Sequence, residues 1–89
     1  MGRQPAPYAR YIETDDILYV RLRDQPIVRT GETNIWTNID YAADGSVVAI
    51  EMVNAKSAGI DLTDVPEREV VELLIREARI VLPLTSHSR

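Results

Sequence analysis

Between residues 35 and 53 apolar and polar positions alternate with a period of two, interrupted once by Ala42-Ala43-Asp44-Gly45. That period sends successive side chains to opposite faces of a sheet, so the stretch predicts a hairpin of strands 35–41 and 46–53. Register matters, because a slip of one residue exchanges the two faces. A four-residue loop sets Tyr41 opposite Ser46, Ile39 opposite Val48, Thr37 opposite Ile50 and Ile35 opposite Met52. One face is then apolar except for a threonine, while the other pairs Asp40 with Val47, Asn38 with Ala49 and Trp36 with Glu51. A three-residue loop sets Asp40 against Val48 and Ile39 against Ala49, which mixes both faces and is rejected on that ground. Gly45 suits the left-handed last position of the turn because it carries no Cβ.

The same period recurs upstream. Residues 8–12 read as a first strand, closed by the polar turn Glu13-Thr14-Asp15-Asp16. Residues 17–23 read as a second, with Leu18, Val20 and Leu22 facing one way and Tyr19, Arg21 and Arg23 the other. Pro26 lacks an N–H donor and belongs in the turn after Asp24. Residues 27–32 form a weaker third strand with Gly31 inside it, suggesting a bulge or an early end.

Beyond Val53 the period changes. Residues 54–63 read as a crossover loop, and Asp64 with Glu67 three positions later forms an acidic capping box. Val70, Val71, Leu74, Ile75 and Ala78 then recur at helical spacing, which predicts a helix over about residues 65–79. Glu67 and Glu69 near its start and Arg76 and Arg79 near its end suit the helix dipole. Its apolar stripe is expected to cover Leu18, Val20, Ile39, Val48 and Ile50. Residues 80–84 are apolar again, with Pro83 preventing a long helical extension, and either a core strap or a partner contact fits them. The expected fold is α+β: a four- to five-stranded antiparallel β-meander with one C-terminal α-helix packed on one face. Residues 1–7 are expected to form a flexible arm, 8–84 a single domain and 85–89 a frayed tail.

Composition narrows the functional classes. A domain of 89 residues buries only about 60 to 65% of its unfolded surface, so added partner surface would strengthen it. The absence of cysteine removes disulfides and thiolate chemistry, and it fits a reducing cytoplasm, the expected location. A net charge of −4 argues against nucleic acid, which needs clustered Lys and Arg, and favours a basic protein surface. No apolar run of about 18 residues is present, so no membrane span is expected. The first seven residues lack the apolar core of a signal peptide.

Three stretches in order carry a family resemblance: Asp16-Ile17-Leu18-Tyr19-Val20-Arg21-Leu22, Asp40-Tyr41-Ala42-Ala43-Asp44-Gly45, and Ile50-Glu51, with Tyr11 five residues before Asp16 and Glu32 between the first two. In these the chain resembles the small bacterial family called domain of unknown function twenty-two eighty-three. It departs from that pattern at Ile12, Ala42 and Ala49, where the family commonly has Asp, Asp and Gly. The resemblance implies a small sheet-plus-helix fold, no established activity, occasional gene neighbourhoods with toxin-like partners, and no catalytic residues to carry over.

Candidate chemistry is sparse. Asp40, Asp44 and Glu51 are the acids a hard cation could draw on. Asp-Gly is itself a turn signal, however, and Ala42 offers no carboxylate between them, so no metal ligand or cofactor is assigned. Asp15-Asp16 reads as a solvated turn. His87, the single histidine, lies in the tail with no orienting group. No Gly-rich phosphate loop or Gly-x-Ser-x-Gly elbow occurs, so no catalytic residue is assigned. One helix covers one face, and the other is expected to present Tyr11, Tyr19, Arg21, Trp36, Asn38, Asp40 and Glu51, which include hot-spot residue types. The plain rival is a solvated face with Trp36 beneath the N-terminal arm. The expectation is therefore a protein-interaction module, either a homodimer or an antitoxin-like partner of a basic protein. The alternative is a small-ligand- or metal-dependent enzyme using Asp40, Asp44 or Glu51.

Overall fold

Alternation is strongest where the strands are best formed. In β2 (Ile17–Arg21) Leu18 and Val20 are fully buried while Ile17, Tyr19 and Arg21 are half-buried. It lies in a five-stranded sheet with β1 (Tyr8–Ile12), β3 (Arg29–Asn34), β4 (Thr37–Tyr41) and β5 (Val47–Val53), followed by the helix α1 (Arg68–Glu77). This computed structural model describes residues 5–83. The expected tail with His87, residue 84, and most of the expected arm lie outside the described residues.

All pairings are antiparallel, as expected, but the strand order is β1-β2-β5-β4-β3. The fold is thus the expected α+β sheet with one C-terminal helix, corrected in one respect: β2 pairs with β5, so the five strands do not form a sequential meander. The chain after β2 instead crosses the end of the β4–β5 hairpin. Its backbone is held there, with Leu22 N–H donating to Val48 O at 2.7 Å and Val28 N–H to Tyr41 O at 2.9 Å. Ile27 and Val28, expected in the third strand, belong to this crossing and are 41% and 59% exposed.

The β4–β5 hairpin corrects the expected register. Ala42 N–H donates to Ser46 O and Gly45 N–H to Ala42 O, closing a three-residue loop with Gly45 at φ 88°. Tyr41 then pairs with Val47, but Asp40 pairs with Ala49, Ile39 with Ile50 and Thr37 with Met52. Val48 is the extra residue of a bulge. The bulge answers the objection to the short loop: it restores the faces one step beyond the turn. It also explains why Val47, Val48, Ala49 and Ile50 are buried in succession. Val47 and Ile50 join the main core, whereas Val48, expected there, packs in a small second cluster with Ala42, Ala49 and Tyr19. Ile35, expected to face the core, lies with Trp36 in the β3–β4 turn and is 76% exposed.

The covered face is closed by two elements. α1 packs on β1 and β2 through Val71, Leu74 and Ile75. The segment between β5 and α1 closes the rest, inserting Ala55, Ile60, Leu62 and Val65 into the same core. It reaches the far edge, where Thr33 Oγ1 donates to Asp64 O at 3.1 Å. Ile80 and Leu82 pack against this core, and Ile60 N–H donates to Pro83 O at 2.9 Å, so these residues act as a strap.

The helix begins later than expected. Glu67, not Asp64, is the N-cap; its backbone is left-handed at φ 53° and makes no side-chain cap. Its carboxylate is engaged elsewhere, by Arg23 Nη1 at 2.9 Å and Nη2 at 3.3 Å. Val71, Leu74 and Ile75 face the core as expected, whereas Val70, 43% exposed, and Ala78, also exposed, lie at the margins of the stripe and outside it.

Candidate functional site

The register arranges the uncovered face in three rows that cross the strands. At one end lie Ile12, Ile17 and Val53. Trp36 continues that row, since Val53 N–H donates to Trp36 O at 2.8 Å. The middle row is Arg10, Tyr19, Glu51, Asn38 and Glu32. The third is Tyr8, Arg21, Ala49, Asp40 and Thr30.

Six of the seven expected face residues gather here. Tyr11 does not: it pairs with Leu18, packs against the main core, and donates its hydroxyl to Asp16 Oδ1 at 2.8 Å. The odd and even positions of β1 face opposite ways to the expectation because Tyr11 shares a row with Leu18 and Met52.

The third row is internally satisfied. Arg21 donates to Tyr19 Oη, Gln25 O and Arg23 O at 3.0 to 3.1 Å, folding its guanidinium toward the crossing segment. Asp40 accepts Thr30 Oγ1 at 2.6 Å. The Tyr8 and Tyr19 rings lie 6.2 Å apart. The middle and end rows differ. Among the described residues Arg10, Glu51, Asn38 and Glu32 have no side-chain hydrogen bond or ion pair, and Trp36 is 40% exposed. The described part of the arm does not cover Trp36. Ala6 N–H donates to Asp24 Oδ2 at 3.0 Å, at the opposite end of the sheet.

Asp16 is neither a solvated turn residue nor half of an acid pair. Its carboxylate accepts Ser57 Oγ at 2.6 Å, Lys56 N–H at 2.7 Å, Ser57 N–H at 3.1 Å and the Tyr11 hydroxyl. The Ser57 hydroxyl, then the Lys56 amide, hold this carboxyl well below the usual Asp range. The Tyr11 hydroxyl donates to this carboxylate, and that bond raises the phenol's pKa because the proton it needs to lose is held by the acceptor. The cluster pins the β1–β2 turn to the start of the loop after β5. Asp44 does similar local work, accepting Ser46 Oγ at 2.7 Å and Ser46 N–H at 3.0 Å, and those bonds lower its pKa.

The three acids considered for a cation therefore have separate circumstances: Asp44 belongs to its turn, Asp40 to Thr30, and Glu51 sits in the next row. No group of three metal-ligating side chains converges among the described residues. No helix among them is long and apolar enough to cross a membrane. The sequence reading missed the row Ile12, Ile17 and Val53, although its signal was present: Ile17 shares the parity of Tyr19, and Val53 that of Glu51.

Comparison with known families matches residues 9–56 to the family described as Protein of unknown function (DUF2283). The match covers more than half of the chain, and the chain belongs to that family. Neither the curated proteins nor the solved structures contain a match to it. The matched stretch spans the sheet and ends at Lys56, whose amide holds Asp16.

Proposed function

We propose that this DUF2283 member is a protein-interaction module that receives a basic protein on the uncovered face of its sheet, in the cytoplasm. One observation carries the reading: on that face a 40%-exposed Trp36 lies beside Glu51 and Asn38, whose polar groups have no partner among the described residues. A half-buried acid without a partner gains most from a cation brought to it as water is excluded. The chain's net charge of −4 favours the same complement.

Self-association through this face is the weaker form of the reading. β5 is the central strand, so a two-fold stacking about its axis brings Glu51 against its own copy, where like charges repel. The enzyme alternative has acids already engaged, Asp40 by Thr30 and Asp44 by Ser46.

The test compares the wild type with Glu51→Arg as baits in source cells. A basic protein retained by the wild type and lost on charge reversal is the expected result. A partner held equally by both baits overturns the assignment of this face.

A further inference from the structure

We infer that the element docking here is a cationic amphipathic α-helix of about three turns, an inference that rests on the interaction reading above. The apolar row Ile12, Ile17 and Val53 crosses three strands in a line and reaches Trp36 in the turn before β4, opposite Val53. Three interstrand spacings make a strip of about 14 Å, the length of roughly ten helical residues. The row holding Glu51 and Glu32 runs parallel to it, two residues along the strands, or about 7 Å away.

An occupant must therefore meet the apolar row beside a row whose acids, Glu51 on β5 and Glu32 on β3, lie toward one end, with Arg10 at the β1 end. An extended segment lying along the strip has side chains that alternate toward and away from the sheet, so it engages one row. A helix about 10 to 12 Å wide spans both, with an apolar stripe on Ile17, Val53 and Trp36 and Lys or Arg along one flank over Glu51 and Glu32. The third row needs no occupant, because Arg21 and Asp40 are already bonded within the chain. A second copy does not supply this element: the apolar stripe of α1, Val71, Leu74 and Ile75, is buried in its own core, and its exposed charges, Arg68, Glu69, Arg76 and Glu77, are of both signs.

Trp36 is the single tryptophan, so its emission reports the strip directly. The full chain is titrated with a Leu/Lys peptide of about 14 residues, designed with lysines on one flank of its apolar stripe. A shuffled isomer and a Leu/Glu analogue serve as controls. The Leu/Lys peptide is expected to shift the emission, gain helical circular dichroism and weaken as salt rises. Glu51→Gln and Val53→Ser, each checked for an unchanged melting temperature, are expected to reduce its affinity about tenfold. Equal binding of the shuffled or Leu/Glu peptide, affinity unchanged in both variants, or self-association that buries Trp36 without peptide overturns the inference. If no peptide binds while Glu51→Arg still loses the cellular partner, the helical element is wrong and the interaction face stands. If both experiments fail, both readings fall.

Discussion

The two faces of this sheet come from the same strands but are held in place by different parts of the chain. The covered face carries Leu18, Val20, Ile39, Ile50 and Met52, all nearly inaccessible, and it is sealed by residues 54–83. The uncovered face is organised by short-range bonds: Arg21 to the crossing segment, Asp40 to Thr30, Asp44 to Ser46. The family match ends at residue 56, so the matched region encodes a sheet whose apolar face it does not close by itself. Closure is the work of the C-terminal third, while the other face is left as surface.

The harshest test of that contrast removes the seal. A chain ending at Lys56 loses Ile60, Leu62, Val65, Val71, Leu74 and Ile75 from the core and is expected to be unfolded by circular dichroism and amide dispersion. Retained cooperative melting would show that the sheet stands alone. Next in size, Ile50→Ala in the fully buried layer is expected to cost about 2 to 5 kcal/mol in urea unfolding, a large share of the stability of so small a domain.

A smaller effect depends on pH and tests the Asp16 cluster that ties the β1–β2 turn to the loop after β5. The lowered Asp16 carboxyl contributes stability above the ordinary Asp range, near pH 4, and that contribution is lost as acid protonates it. Asp16→Asn keeps a side chain that tolerates φ 55° while removing the charge. Its deficit against the wild type is therefore expected to be largest at neutral pH and to shrink below about pH 4, read as urea midpoints across that range. A constant deficit would mean that the charge plays no part. The smallest change is expected on the uncovered face: Trp36→Ala should alter stability by less than about 1 kcal/mol while abolishing partner binding. A large loss of stability would place that ring in the core and remove the distinction between the faces.

The parts of the fold legible in the sequence were those with simple parity. Leu18 and Val20 inward, Tyr19 and Arg21 outward, and the left-handed Gly45 all follow from local pattern. What pattern did not show were long-range choices. Nothing in residues 17–23 says that β5 rather than β3 will lie beside them, because that pairing joins segments distant along the chain. Val48 could not announce its bulge, since a bulge leaves an apolar run unchanged in composition. The Asp64 capping box was plausible locally, but the Glu67 carboxylate it required is engaged by Arg23 and the helix starts at Arg68. On the uncovered face the polar candidates were legible one by one. The row of Ile12, Ile17 and Val53 needed the register to align it.

The adjacency of β2 and β5 has a consequence for how the molecule assembles. Every other ladder joins strands that are neighbours along the chain and closes across a short loop. Among the described residues this one alone joins distant segments, and its closure must wait for the loop entropy of the whole intervening hairpin. The sheet is thus a β1–β2 hairpin and a three-stranded β3–β4–β5 meander zipped along the line between β2 and β5. A backbone cut within residues 22–28 leaves one lip of the zipper on each fragment, ready for reconstitution by mixing.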